Sequence, residues 1–310
     1  MPTRIRGALA PVLTPFDRHL QPDTPRFIAH CRWLVDNGVG LAIFGTNSEA
    51  ASLSVAERLT LTDALLEAGI PAERLMPGTG ACSVADAITL TRHAVSNGAA
   101  GALMLPPFYF KNASDQGLFD YYATVIDTVA DPRLKVYLYH IPQFTQTPIT
   151  LNLIEMLRKR YPDTVVGAKD SSGVWENTQA MIDQFASDGF DVFPASESLL
   201  TKALSIGGAG CISATVNMNP AGIRAVVDGW NGPNGAALQA KADVVRQIFQ
   251  AVPMIPAMKR VVAECASAPS WAGVRPPLVK LDDATATSVM AALNAAGFAM
   301  SGYPVEAPNA

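Results

Sequence analysis

Short apolar runs alternate along the chain with longer stretches whose apolar residues recur at the period of an α-helix. The apolar runs predict eight β-strands, at 7–13, 39–45, 74–78, 100–105, 134–140, 164–169, 190–194 and 209–213. The strands start roughly 20 to 35 residues apart, and a helical segment fills nearly every gap. Nearly continuous apolar runs are typical of parallel strands, because such strands are buried on both faces. The pattern therefore predicts an α/β protein.

Local signals mark where several of the helices begin and end. Segment 54–57 (Ser-Val-Ala-Glu) has the form of a capping box, and segment 83–86 (Ser-Val-Ala-Asp) predicts another helix start. The pairs at 37–38 and 97–98 are both Asn-Gly, which tolerates the left-handed conformation that ends many helices.

Eight βα units in succession predict a (β/α)8 TIM barrel, with a doubly wound open sheet as the alternative. The first predicted strand is not followed by Gly-x-Gly-x-x-Gly, which disfavours a nucleotide-binding form of that alternative. Segment 229–235 (Gly-Trp-Asn-Gly-Pro-Asn-Gly) reads as a loop, and helical periodicity resumes at 236–252, 254–267 and 284–297. We expect residues 1–232 to form the barrel that carries the active site and residues 233–310 a C-terminal helical cap.

Composition and charge exclude several classes of partner. Hydrophobic residues make up 49% of the chain and charged residues 16%, which indicates a globular protein. A net charge of −4 provides no basic surface for nucleic acid or for an anionic membrane. No apolar stretch reaches the roughly 20 residues that a membrane span needs, and the first residues do not read as a signal peptide. We expect a cytoplasmic protein with neither nucleic-acid nor membrane partners.

The cysteines and histidines lack metal-ligand spacing. The four cysteines (Cys31, Cys82, Cys211 and Cys265) form no C-x-x-C motif, and the four histidines (His19, His30, His93 and His140) form no H-x-H or H-x-x-x-H motif. A zinc site or a disulfide framework is therefore disfavoured, and we expect no metal or other cofactor.

One charged residue, Lys169, ends the apolar run 164–168. The loop-forming segment 170–173 (Asp-Ser-Ser-Gly) follows it directly. An amine in a water-poor pocket loses hydration, which favours the neutral nucleophile that forms a Schiff base with a carbonyl group. The alternative is a lysine that extends from the strand end into solvent and pairs with Asp170.

Other strand ends suit the same chemistry, because the active site of a parallel barrel lies at the C-terminal ends of its strands. The second predicted strand ends in the turn 45–49 (Gly-Thr-Asn-Ser-Glu), whose N–H groups and hydroxyls suit a carboxylate. The fifth ends at Tyr139, a candidate acid or base beside an amine. The structural alternatives are a packed aromatic at Tyr139 and plain turn formers at Thr46 and Asn47. Glu49 is expected to cap the following helix or to brace the turn.

These motifs and their order resemble the dihydrodipicolinate synthase / N-acetylneuraminate lyase family of class I aldolases. The matching segments are 10–16, 45–49, 106–109, 139–142, 167–170, 207–213 and 275–278. The resemblance implies a (β/α)8 barrel that assembles as a homotetramer, a dimer of dimers. It also implies a small-molecule 2-oxo acid, pyruvate, and an aldehyde as the reaction partners.

The resemblance further implies a role for each matching residue. Lys169 would form the Schiff base with the keto group of pyruvate, and Tyr139 would relay protons. Tyr109 would complete that relay across a subunit interface. The substrate-binding residues would be the turn residues Gly45, Thr46 and Asn47, which hold the 2-oxo acid carboxylate, and Ile212, which lines the pocket.

The chain also departs from the family pattern. The turn usually reads Gly-Thr/Ser-Thr-Gly-Glu, so Ser48 stands here in place of a glycine, a change that bears on the backbone conformation. The 106–110 loop is one residue longer than in the synthases, so Tyr109 and Phe110 compete for the relay position. Phe144 stands where the synthases have an arginine, and an aromatic ring cannot make that bidentate carboxylate contact.

In the loop after the seventh predicted strand, Ser196 and Glu197 are candidates to face a polyol or another polar tail of the substrate. Together these residues predict a class I lyase or aldolase that makes or cleaves a C–C bond of a 2-oxo acid, with a 2-keto-3-deoxy sugar acid favoured. The alternatives are a Schiff-base dehydratase or deaminase of a 4-substituted 2-oxo or cyclic imino acid, and a non-catalytic barrel that binds keto acids. A 4-hydroxy-tetrahydrodipicolinate synthase is disfavoured by Phe144.

Overall fold

Seven parallel β-strands form two hydrogen-bonded sheets in the computed structural model, which describes residues 4–305. The strands are β1 (Gly7–Ala10), β2 (Gly40–Leu41), β3 (Ala102–Met104), β4 (Val136–His140), β5 (Val165–Asp170), β6 (Asp191–Pro194) and β7 (Gly210–Ile212). One sheet has the order β2-β1-β7 and the other β3-β4-β5-β6. Within each sheet successive strands are neighbours, as βα units favour, and the pairing of β1 with β7 joins the first strand to the last.

The third predicted strand, at 74–78, joins the two sheets without forming a regular strand. It makes two isolated parallel bridges, Leu41 with Leu75 and Gly78 with Leu103. Pro77 has no N–H to donate to a ladder, and a Cβ on Gly78 would lie 2.0 Å from the Phe44 carbonyl oxygen. This close approach explains why the segment is irregular.

The other seam between the sheets is closed by backbone hydrogen bonding. The N–H of Ala209 donates to the Val192 carbonyl at 2.9 Å, which links the start of β7 to β6. Seven strands and the bridging segment therefore close into the predicted (β/α)8 barrel.

Twelve α-helices lie within residues 4–305. They are α1 (Thr24–Asp36), α2 (Val55–Glu67), α3 (Val84–Ser96), α4 (Asp115–Val129), α5 (Pro142–Thr145), α6 (Leu151–Arg160), α7 (Trp175–Phe185), α8 (Leu200–Ser205), α9 (Pro220–Gly229), α10 (Gly235–Gln250), α11 (Met254–Cys265) and α12 (Asp283–Ala295). The capping box predicted before α2 is present: the Glu57 N–H donates to Ser54 Oγ at 3.2 Å, and Glu57 Oε2 accepts from the Ser54 N–H at 2.8 Å. The predicted helix ends are also present, with φ of 79° at Gly38 and 80° at Gly98.

Side chains alternate between the inside and the outside of the barrel, as the pleat of a strand requires. In β4, Tyr137 and Tyr139 belong to the apolar cluster inside the barrel, whereas Leu138 packs with the surrounding helices. The same alternation turns Ala168 of β5 outward. Lys169, the next residue, therefore points inward beside Tyr139.

The helices α10, α11 and α12 follow the barrel with the boundaries that the periodicity predicted, to within a few residues. Their buried residues share one apolar cluster with β1 and β2. The division at residue 232 stays a prediction, and its outer ends, residues 1–3 and 306–310, lie outside the described residues.

His30 of α1 is a buried histidine that joins three parts of the chain. Its Nε2 lies 3.1 Å from Asn217 Oδ1, and its Nδ1 lies 3.1 Å from the Tyr303 hydroxyl. Its ring also packs against the edge of Trp271. Desolvation lowers the pKa of His30 from 6.5 to about 4, and the hydrogen bond to Asn217 only partly offsets this effect. The folded protein therefore holds a neutral imidazole at neutral pH.

We expect His30 to make the protein less stable as the pH falls from 6.5 to about 4. In that window His30 is protonated in the unfolded chain and neutral in the folded chain, so the free energy of unfolding decreases as the pH is lowered. The gap between the two pKa values corresponds to about 3 kcal/mol. Urea unfolding at pH 7, 6, 5 and 4 should show a flatter pH dependence for His30→Asn than for the wild type. His19→Asn, at an exposed position, is the control and should keep the wild-type dependence. Equal slopes for His30→Asn and the wild type would contradict this assignment.

Candidate active site

Lys169 and Tyr139 lie side by side inside the barrel, on neighbouring strands. The β4–β5 register pairs the two residues directly, and Lys169 is only 2% exposed. Lys169 Nζ donates to the Tyr139 hydroxyl at 3.2 Å and lies 4.3 Å from the centre of the Tyr139 ring. An amine is thus placed against a group that can give or take a proton.

Thr46 extends this contact into a chain of three side chains. Its Oγ1 lies 3.0 Å from the Tyr139 hydroxyl. Thr46 is the first residue of a short 3₁₀ turn, Thr46–Ser48, that follows β2. The hydroxyls of Thr46 and Tyr139 therefore form a hydrogen-bonded path that ends at the amine of Lys169.

Asp170, the alternative partner of Lys169, faces the other way. Its Oδ1 accepts from the Ser172 N–H at 2.9 Å, and its Oδ2 accepts from Thr178 Oγ1 at 2.5 Å. Asp170 therefore fastens the start of α7 to the end of β5. Within residues 4–305, Lys169 makes no ion pair.

The turn 45–49 is closed by the serine that departs from the family pattern. The Gly45 N–H donates to Ser48 Oγ at 3.2 Å, and the Ser48 carbonyl accepts from Thr14 Oγ1 at 2.8 Å. The left-handed residue of the turn is Glu49, with φ of 56°. Ser48 therefore does not need the conformational freedom of a glycine.

Glu49 braces the turn, as the sequence predicted. Its Oε1 accepts from Lys259 Nζ at 2.6 Å and its Oε2 from the Arg275 N–H at 2.8 Å, and both ion-pair side chains are fully buried. Desolvation lowers the pKa of Lys259 to about 8, although the Glu49 carboxylate opposes that shift. The left-handed backbone at Glu49 is thus held by α11 and by the chain that follows it.

A cavity of about 580 Å³ opens over these residues. Six of the sequence-predicted site residues line it: Thr46, Asn47, Tyr139, Phe144, Lys169 and Ile212. Gly45 does not line the cavity, and it positions the turn through its backbone. The structure adds residues that sequence reasoning missed: Gln143, Ser171, Ala195, Ala214, Arg246 and the segments 253–256 and 277–282.

Phe144 lies on α5 at the mouth of the cavity, where its side chain is 66% exposed. The ring therefore borders the entrance, away from the Lys169 amine, which is buried. An arginine contact to substrate is absent at this position, as the sequence already indicated.

Ser196 and Glu197 do not line the cavity, in contrast to the expectation that they face a substrate tail. The Glu197 carboxylate is buried and accepts short hydrogen bonds from the hydroxyls of Ser213 and Thr215. Ser196 Oγ accepts from the Ser198 N–H in a local turn. Both side chains are occupied within the protein. Ser196 has a local partner, whereas the partners of Glu197 lie 16 and 18 residues farther along the chain, where no local sequence pattern signals them.

Tyr109 and Phe110 project from the surface and do not reach the cavity within this chain. They are 75% and 78% exposed, and their rings pack edge to face with centres 5.4 Å apart. The next residue, Lys111, fixes the loop by donating to the Phe108 and Thr145 carbonyls. The action of Tyr109 across a subunit interface stays a prediction.

Residues 4–305 contain no group of three or more His, Cys, Asp or Glu side chains placed to hold a metal ion. No helix in the same range has the length and apolar character to cross a bilayer.

Comparison with known proteins gives consistent matches over most of the chain. A family model described as the dihydrodipicolinate synthetase family matches residues 4–296. An uncharacterized DapA-like lyase of Chloroflexus aurantiacus is 34% identical over 291 residues, which cover 93% of this chain and 95% of that protein. Dihydrodipicolinate synthase from Agrobacterium tumefaciens superposes with a TM-score of 0.85 at 30% identity, over 94% of this chain and 99% of the other. YagE from E. coli K12, solved in complex with pyruvate, superposes with a TM-score of 0.85 at 26% identity, over 95% and 99%.

Proposed function

The chain belongs to the dihydrodipicolinate synthetase family of pyruvate-dependent lyases and aldolases, and we propose that Lys169 is its Schiff-base nucleophile. The reaction is the making or breaking of a C–C bond of a 2-oxo acid, with pyruvate as one partner. The observation that carries the proposal is the chain of Lys169, Tyr139 and Thr46, with contacts of 3.2 and 3.0 Å at the cavity. The pyruvate complex of YagE supports the choice of pyruvate.

In this mechanism the neutral amine of Lys169 attacks the C2 carbonyl of the 2-oxo acid and forms a carbinolamine. Tyr139 transfers a proton from the attacking nitrogen to the C2 oxygen and then donates its own phenolic proton to the resulting hydroxyl, so that water leaves, a protonated imine remains and Tyr139 is a phenolate. The phenolate takes the proton of the substrate's C4 hydroxyl, the C3–C4 bond breaks with its electron pair going to the imine, and an aldehyde leaves behind an enamine. In the direction of synthesis the enamine C3 attacks the aldehyde.

The turn supplies the binding site for the 2-oxo acid carboxylate. Thr46 and Asn47 line the cavity, and theirs are the N–H groups of the 45–49 turn that make no hydrogen bond to another described residue, because those of Gly45, Ser48 and Glu49 are bonded within the turn. Such donors bind a carboxylate without a cation. We infer that this anchoring sets the orientation of C2 toward Lys169.

The second substrate is proposed to be the aldehyde of a 2-keto-3-deoxy sugar acid. Phe144, at the cavity mouth, lacks the bidentate donors that a synthase uses for its aldehyde substrate. We propose further that the protein is a cytoplasmic homotetramer. In this assembly Tyr109 would extend across a subunit interface and complete the proton relay of the neighbouring subunit.

Trapping with pyruvate and borohydride tests the proposed nucleophile. Borohydride reduces the imine to a stable amine, and peptide mass spectrometry should place the adduct on Lys169. Lys259, which is fully buried in its pair with Glu49, and Lys202 on α8 serve as internal controls and should stay unlabelled. A folded protein with no label at Lys169, beside a labelled class I aldolase, would overturn the proposal.

Product analysis separates the aldolase from other Schiff-base reactions. An aldolase releases an aldehyde and pyruvate from its substrate, a deaminase releases ammonia, and a dehydratase releases neither. Formation of 4-hydroxy-tetrahydrodipicolinate from pyruvate and aspartate semialdehyde would instead identify a synthase.

A further inference from the structure

Arg246 is a cationic side chain of the cavity that the mechanism leaves unused. It projects from α10, outside the barrel strands, and its side chain is 12% exposed where it lines the cavity. The other charged residues of the lining, besides Lys169, are Lys280 and Asp282, which are exposed and opposite in sign. Arg246 is therefore the partly buried cation available to a substrate bound at Lys169.

The protein holds one side of the Arg246 guanidinium in place. Nη1 donates to Ser213 Oγ at 3.1 Å and lies 3.5 Å from Glu197 Oε2, while Nε donates to Gln250 Oε1 at 3.1 Å. Nη2 makes no hydrogen bond to any described residue. Ser213 follows Ile212, which lines the same cavity, so the fixed group lies close to the pocket wall.

Glu197 does not account for the arginine by itself. Its two carboxylate oxygens already accept from the hydroxyls of Ser213 and Thr215, and both contacts are shorter than the one from Arg246. A serine and a threonine therefore supply the closest hydrogen bonds to the carboxylate, Arg246 forms an ion pair with it at 3.5 Å through Nη1, and the Nη2 donors stay unused by the described residues. Glu197 acts as a positioning residue that orients Arg246.

We propose that Arg246 binds a carboxylate at the far end of the substrate carbon chain. A guanidinium with free N–H donors recognises a carboxylate through charge-assisted hydrogen bonds. The substrate class is then a 2-oxo acid with carboxylates at both ends, and this inference rests on the proposed function because it assumes that C2 lies at Lys169. Phe144 on α5 disfavours a second carboxylate of the substrate only at its own position. Arg246 reaches the cavity from α10.

The test compares pairs of 2-oxo acids that differ only in the distal carboxylate. The pairs are 2-oxoglutarate with 2-oxopentanoate and 2-oxoadipate with 2-oxohexanoate, and the readout is the concentration that gives half-maximal borohydride adduct at Lys169. At least one diacid should reach half-saturation at a concentration about tenfold or more below that of the matching monocarboxylate. Arg246→Gln should remove that preference, measured relative to pyruvate, which has no distal group.

Matched variants make the result decisive. Arg260→Gln removes an arginine on α11 that pairs with Glu264 and Asp283 and does not line this cavity, so it should keep the preference. Arg246→Lys keeps the positive charge but loses the planar guanidinium, so this variant should keep only part of the preference for the diacid. If Arg246→Gln fails to fold, the double variant Arg246→Gln/Glu197→Gln, which removes both charges of the ion pair, takes its place in the test.

The outcomes distinguish the two proposals. Equal half-saturation within both pairs in the wild type, with pyruvate still labelling Lys169, overturns the role of Arg246 and leaves the proposed function intact. A diacid preference that survives in Arg246→Gln also overturns it. Failure of pyruvate to label Lys169 overturns the proposed function, and the inference falls with it.

Discussion

Replacing Lys169 by alanine is expected to abolish both turnover and the pyruvate adduct, and to leave the fold intact. In the proposed mechanism the reaction proceeds through a covalent bond to Nζ, so removal of that atom leaves only the uncatalysed rate. The folded structure should persist because Lys169 makes no ion pair within residues 4–305 and its hydrogen bond to Tyr139 is a single contact. Tyr139 keeps its second partner, Thr46. The measurements are product formation, adduct mass and the thermal unfolding midpoint.

Two further variants separate chemistry from charge in this experiment. Lys169→Arg keeps a cation at the site but cannot supply a neutral nucleophile, because a guanidinium stays protonated at any accessible pH. It should therefore be as inactive as the alanine variant. Lys202→Ala removes a lysine that stacks on Trp175 away from the cavity, and it should behave as the wild type. Turnover or adduct retained in Lys169→Ala would exclude this lysine as the nucleophile.

Replacing Tyr139 by phenylalanine is expected to lower kcat by about 10² to 10⁴, which is the usual effect of losing a positioned acid or base. The variant removes only the hydroxyl, which contacts Lys169 and Thr46. The ring that lies 4.3 Å from Nζ remains, so the surroundings of the amine change little. Adduct formation should therefore slow and still reach completion, which single-turnover trapping over time measures directly.

Tyr137→Phe is the matched control for that variant. Tyr137 lies two residues earlier on β4, also points into the barrel, and its buried hydroxyl has no hydrogen-bond partner among residues 4–305. Removing this hydroxyl should leave the rate unchanged. Equal adduct rates in Tyr139→Phe and the wild type would show that another group moves the proton.

The barrel and its catalytic strand ends could be predicted because their signals are local. A β-branched run that ends in Lys169, a capping box before α2 and an Asn-Gly pair after α1 each depend on a few adjacent residues. The irregular segment at 74–78 was harder to foresee. Its apolar pattern resembles a strand, and its geometry depends on Phe44, which approaches Gly78 from another part of the chain.

The cavity walls could not be predicted for the same reason. The sequence predicts that Glu197 faces a polar tail of the substrate, whereas its burial follows from the hydroxyls of Ser213 and Thr215, which the fold brings to it. Arg246 sits in an amphipathic helix whose pattern shows which face is buried. That pattern does not indicate which residues at the edge of the buried face line a cavity.

The buried ion pair between Glu49 and Lys259 makes the C-terminal helices inseparable from the barrel. A chain that stopped at residue 232 would lose Lys259 and the Arg275 N–H, the partners of the Glu49 carboxylate, together with the apolar cluster that α10, α11 and α12 share with β1 and β2. In the full chain, removing Lys259 alone would leave that carboxylate buried without its cation, which costs about 3–5 kcal/mol, a large part of the stability of an ordinary domain. Premature stop codons late in the gene should therefore act as null alleles. Two separately expressed fragments should regain activity only when the second restores this contact.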